Sequence, residues 1–242
     1  MKKILIYGDS HAKGFIGYKN NNVILDINPI PGASIKGLPR KESTLQLNNI
    51  IKDKLKNNYD LVIFKFGQVD IDLGFWYTKI IKNNNITFLE YIDIIIKSYK
   101  EFILSLNIIN LIIFGINLPS IFDNKTYINF TYKIIKKNTF NKIKLKKYMP
   151  NIYQRTQNTI LFNNQLKLLA KELNICYYDN IEISLDKKTN ILDEKYHDKK
   201  DLDHHPYGIS LTVHKYNDSV VNFCRKNLYY NILDEIIKYK LY

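Results

Sequence analysis

Two short stretches concentrate the residues that could do chemistry, and they lie near opposite ends of the chain. The first, "ILIYGDSHAKGF" at 4 to 15, sets Gly8, Asp9, Ser10 and His11 directly after an apolar run. The second, 197 to 205, packs aspartates and histidines together and ends in Asp201, Leu202, Asp203, His204 and His205. A serine at a strand-to-turn junction stands at the carboxyl edge of a sheet, where open α/β folds bind ligands. Ser10 is therefore either a nucleophile or the cap of a helix starting near residue 11. The 197 to 205 stretch is rich in oxygen and nitrogen ligand types but has no defined ligand spacing, so no metal is expected. Arg155, in "YQRTQN", could hold an anionic substrate or pair with a carboxylate. Asp70 and Asp72 follow another apolar run and would close a strand or cap the next helix. Trp76 and Tyr77 could stack on a sugar ring or fill the core.

These residues need a frame. Short runs rich in Ile, Val, Leu, Phe and Tyr predict strands at 3 to 7, 23 to 27, 60 to 66, 109 to 115 and 175 to 178. Apolar residues at helical spacing predict helices over 43 to 57, 86 to 106 and 156 to 173. Strands alternating with helices imply βαβ units. Because the strands are nearly continuous apolar runs, the sheet should be mostly parallel and covered on both faces. The expected architecture is a three-layer α/β/α sandwich around about five strands, flavodoxin-like in plan. One stretch breaks the alternation: 121 to 150 carries eight lysines against the single acid Asp123, with aromatic residues interleaved. It is expected to be an insertion in a single domain spanning 1 to 242, either a lid over the active edge or a solvated basic loop or helical hairpin.

Bulk properties narrow the class. A chain of 242 residues with 45% hydrophobic content can bury a substantial core. No run of about 18 apolar residues is present, and Asp9 and His11 interrupt the apolar start too early for a signal peptide. The expectation is a cytoplasmic protein without a membrane span. Cys176 and Cys224 form no framework or CxxC pair. The net charge of +13 suggests nucleic acid at first sight, yet Arg40, Arg155 and Arg225 are the only arginines. Phosphate recognition favours the bidentate guanidinium, so no nucleic-acid partner is expected.

The turn at Gly8, Asp9 and Ser10 resembles the first sequence block of the SGNH/GDSL hydrolases, with Ser10 on the family nucleophile. His11 replaces the usual leucine, giving "GDSH", a form similar to SGNH domains that handle acyl groups on polysaccharides. Three later stretches resemble the remaining blocks. "PIPGAS" puts Gly32 where the second block offers a backbone N–H, and "FKFGQVDID" matches the third through Gly67 and Asp70. Val69 stands where the family has asparagine. The last block, Asp-x-x-His, is matched by Asp201 and His204, followed by His205.

The resemblance implies an SGNH-like fold and a serine esterase that needs no cofactor, acting on a small-molecule or glycan ester. A serine hydroxyl is a poor nucleophile near neutral pH. It needs a histidine to accept its proton and a carboxylate to fix that histidine's tautomer. Ser10, His204 and Asp201 would fill those roles, with His205 as the alternative to His204. The Ser10 and Gly32 N–H groups would face the oxyanion. Valine donates nothing from its side chain at 69, so either Gln68 turns inward, or the hole has two donors, or the enzyme is weakened. Asp9, Asp70 and Arg155 are the candidate substrate contacts. O-acetyl groups of a carbohydrate are the expected target. An O-acyltransferase and a catalytically degenerate binding protein are the alternatives.

Overall fold

In the computed structural model, residues 1–40, 42, 45–135, 140–197, 204–205 and 218–241 are described. Five strands form one parallel sheet in the order β2-β1-β3-β4-β5: β1 Lys2–Gly8, β2 Val23–Pro29, β3 Leu61–Lys65, β4 Leu111–Phe114 and β5 Cys176–Tyr178. Alternate strand residues face opposite layers, as the period-2 pleat requires. Leu5, Tyr7, Val62, Phe64, Leu111 and Ile113 pack into one apolar core, and Ile4, Ile6, Leu61, Ile63, Ile112 and Phe114 into the other. The chain is thus a three-layer α/β/α sandwich, as its apolar runs predict.

The first core is closed by α1 Leu47–Leu55, α2 Phe88–Leu104 and α5 Ile152–Glu172. In sequence, α3 Asn124–Ile135, α4 Phe140–Tyr148 and the short α6 Ile181–Ser184 flank α5. The second core is closed by the 3-10 turn Ser10–Phe15 and, after α7 Asp218–Arg225, by the π-helical turn Lys226–Tyr230 and α8 Asn231–Lys240. The observed α5 starts four residues before the predicted 156. Asn151 caps it in a reciprocal box with Gln154, which satisfies donors that the apolar pattern does not register. The basic stretch contains two helices, α3 and α4; α3 buries Tyr127, Thr131 and Ile135.

The strand ends prepare the site. A Cβ at Gly8 would lie 2.4 Å from the Lys65 carbonyl oxygen, so β1 and β3 approach as closely as they do only with glycine there. Gly67 takes φ +118 where the chain leaves β3, and a side chain there would also strike Phe162. The π-helical turn Asp70–Gly74 follows, turning Asp70 and Asp72 inward, where both are buried.

Candidate active site

Ser10 lies at the carboxyl end of β1 on the first residue of its 3-10 turn, and Asp9 caps that turn by accepting from the His11 N–H. The capping role considered for Ser10 therefore belongs to its neighbour. Ser10 Oγ instead meets His205 Nε2 at 2.7 Å, a contact between residues 195 positions apart. This is the nucleophile-to-base contact that serine chemistry needs. His204 is turned elsewhere: its Nδ1 lies 3.0 Å from Asp72 Oδ2. Of the two candidate bases, His205 is the one that reaches the serine. Asp201 and Asp203 lie outside the described residues.

A third imidazole completes the cluster. The His11 ring stacks on His205 at 4.1 Å between centroids and 20° between planes. Its Nδ1 sits 3.1 Å from Asp9 Oδ1 and its Nε2 3.3 Å from the His204 carbonyl. Burial pushes the His11 pKa below the ordinary value despite the Asp9 carboxylate. Burial pushes Asp9 up, but the His11 bonds and charge, with the Lys65 charge, outweigh it and hold the carboxyl low. Donor atoms of His11, His204 and His205 all lie within 4.8 Å of one another, close enough to suggest a metal. The stacked rings of His11 and His205, however, aim their lone pairs along nearly parallel planes, and ligation by both would require one ring to turn.

The other candidate residues are held by the protein's own groups. Asp9 also accepts from the Gln68 N–H at 3.1 Å, which ties the serine turn to the β3 exit. The Gln68 side chain donates to Asp72 Oδ2 and the Asn117 carbonyl and accepts from the Asn117 N–H, so its amide braces two loops. Asp70 accepts from the Ile35 and Lys36 N–H groups, and burial pushes its pKa up to about 7. Arg155 is buried, stacks over Tyr127 at 4.1 Å and donates to the Ile121 and Phe122 carbonyls and to Asn124. Gly32 sits exposed in a turn at φ +76, in the loop that follows β2. Trp76 packs in the core.

Two participants were not singled out from sequence as partners. Asp72 is two residues beyond the aspartate that matches the family block, and His11 entered only as a variant letter. The signals available were the Asp-x-Asp spacing and the paired histidines, and neither says which side chain meets which.

Among solved structures, the chain is similar to a Bacteroides fragilis protein assigned as an acylhydrolase, at 16% identity and a TM-score of 0.50, over 98% of this chain and 87% of that one. It is also similar to the aryl esterase of M. smegmatis, at 11% identity and a TM-score of 0.50, over 99% of this chain and 100% of that one. No family model matches the sequence, and no curated protein does. The chain has the α/β fold of the SGNH/GDSL hydrolases. Among the described residues, no helix is long and apolar enough to cross a membrane.

Proposed function

We propose that the chain is a serine esterase of the SGNH/GDSL type that works through an acyl-serine intermediate. The single observation that carries this reading is the 2.7 Å contact between Ser10 Oγ and His205 Nε2. His205 takes the hydroxyl proton as Oγ attacks the ester carbonyl. The Ser10 and Gly32 N–H groups face the developing oxyanion, where each well-placed donor contributes about 3 kcal/mol. Asp201 or Asp203 is the carboxylate that would orient His205. The "GDSH" form points to O-acetyl groups on a carbohydrate as the substrate class.

Transfer of the acyl group to a glycan hydroxyl is the second reading. It is favoured by α3, whose Phe130 ring lies 5.0 Å from His204 and whose Tyr127 hydroxyl donates to the Asp72 carbonyl. A helix side chain packed against His204 limits water at the acyl-enzyme. The test is hydrolysis of a short-chain aryl acetate by the wild type and by Ser10→Ala. Activity lost in the variant supports the esterase. Equal rates in both refute it, and activity in neither directs the search to transfer between a donor and a sugar, failing which the fold serves as a binding protein.

A further inference from the structure

The esterase reading uses one histidine and leaves its neighbour unexplained. Asp72 and His204 form a buried carboxylate–imidazole pair with Nδ1 to Oδ2 at 3.0 Å. Gln68 Nε2 donates to the same Oδ2 at 3.0 Å, which marks that oxygen as an acceptor. The His204 nitrogen facing it therefore carries the hydrogen, and Nε2 becomes the nitrogen that exchanges a proton. The ring stands edge-on to His205 with 4.5 Å between centroids. It also stands edge-on to His11 at 4.8 Å, and Phe130 of α3 lies 5.0 Å from it, so it sits between the serine's base and α3.

Resting on the esterase reading, we propose that Asp72 and His204 form a second acid–base dyad, serving the substrate's oxygen while His205 serves the serine's. The two rings share one added proton in the free enzyme and in the acyl-enzyme, and hold two while each tetrahedral intermediate carries its oxyanion. In acylation, the Ser10 proton passes to His205 as Oγ bonds to the acyl carbon. The tetrahedral intermediate then breaks its bond to the leaving oxygen, which takes its proton from His204. In deacylation, the acceptor hydroxyl gives its proton to His204 as its oxygen bonds to the acyl carbon. The bond from that carbon to Oγ breaks, and Oγ takes back the proton from His205. Asp72 stabilises the His204 imidazolium that begins and ends the cycle, as the carboxylate of a triad does. The acceptor's proton goes to the ring on the α3 side of the cluster.

The experiment compares wild type, His204→Gln and Asp72→Asn on p-nitrophenyl acetate and on an alkyl acetate, with intact-mass detection of acylated protein. Nitrophenolate leaves without a proton, so its first-turnover release should be unchanged in both variants, and His204 gives its proton to solvent before it serves as the base of deacylation. Steady turnover should fall about 100-fold, the usual weight of a general acid–base group, with acyl-Ser10 accumulating. The alkyl ester should lose its acylation as well. Wild-type turnover without accumulated acyl-enzyme would overturn the proposal, and so would a parallel loss of first-turnover release, which a merely structural role produces. If the wild type never acylates Ser10, the esterase reading fails first and takes the proton exchange with it. The dyad's wiring is checked independently by 15N shifts of the His204 ring: hydrogen on Nδ1 is expected, and an Nε2–H ring with bare Nδ1 overturns it.

Discussion

Replacing Lys65 by methionine should change how the protein's stability responds to pH. Lys65 closes β3 fully buried, its Nζ donating to the Gly115 carbonyl at 2.7 Å and to Asn117 Oδ1 at 3.3 Å. Burial pushes its pKa from the ordinary 10.5 down to about 7, against the pull of Asp9 and Asp179. Below about 7 the folded and unfolded chains both hold the proton, and above 10.5 neither does. Between those limits the unfolded chain binds more protons, so this group makes stability rise with pH. Integrated from about pH 6 to about pH 9, the rise is roughly 2.5 kcal/mol. Methionine keeps the apolar stem over Phe114 and Tyr229 and removes the titration. Urea melts of both proteins at the two pH values isolate it, because every other group is shared. Relative to wild type, Lys65→Met should be more favourable at the lower pH by about that amount. Identical pH dependence in the two proteins would refute the reasoning.

Three further outcomes follow from the same packing. Gly8→Ala should cost about 2 kcal/mol or more in thermal or urea melts, because the new methyl meets the Lys65 carbonyl and the Ala12 side chain. Arg155→Met should lower stability by about 3 kcal/mol, since it leaves the Ile121 and Phe122 carbonyls without their buried donor; proteolysis should then cut first in the segment they lead into. Asp70 works in the opposite sense to Lys65: its folded pKa of about 7 exceeds the ordinary 3.8, so its contribution should fall as pH rises between those values. Asp70→Ala should flatten that part of the wild-type curve in melts across the window.

The sheet was legible because each strand is an apolar run bounded by polar turns. Five runs became five strands with ends shifted by at most two residues, and Pro29 and Lys65 show where pairing rather than hydropathy decides the end. Helix starts were less legible. The Asn151 cap extends α5 past the point where apolar spacing begins, and α8 carries its stripe of Ile232, Leu233, Ile236 and Ile237 within only ten residues. At the site, Ser10 could be read from the strand and turn that carry it. Adjacent histidines could not be sorted, because spacing along a loop does not determine which ring turns toward residue 10. Gln68 shows the same limit: an amide beside Val69 was available for an oxyanion, but Asp72 and Asn117 hold it. Such choices depend on long-range partners, which a single sequence does not pair.

The most direct measurement is the rate at which a fluorophosphonate labels the protein, with the modified residue mapped by mass spectrometry, in wild type, Ser10→Ala and His205→Gln. The structure leads us to expect one label, on Ser10, absent in the first variant and slowed at least about 100-fold in the second, with both variants melting like wild type. A label placed elsewhere, or wild-type labelling of Ser10 in His205→Gln, would contradict the claim that these two residues form the nucleophile and its base.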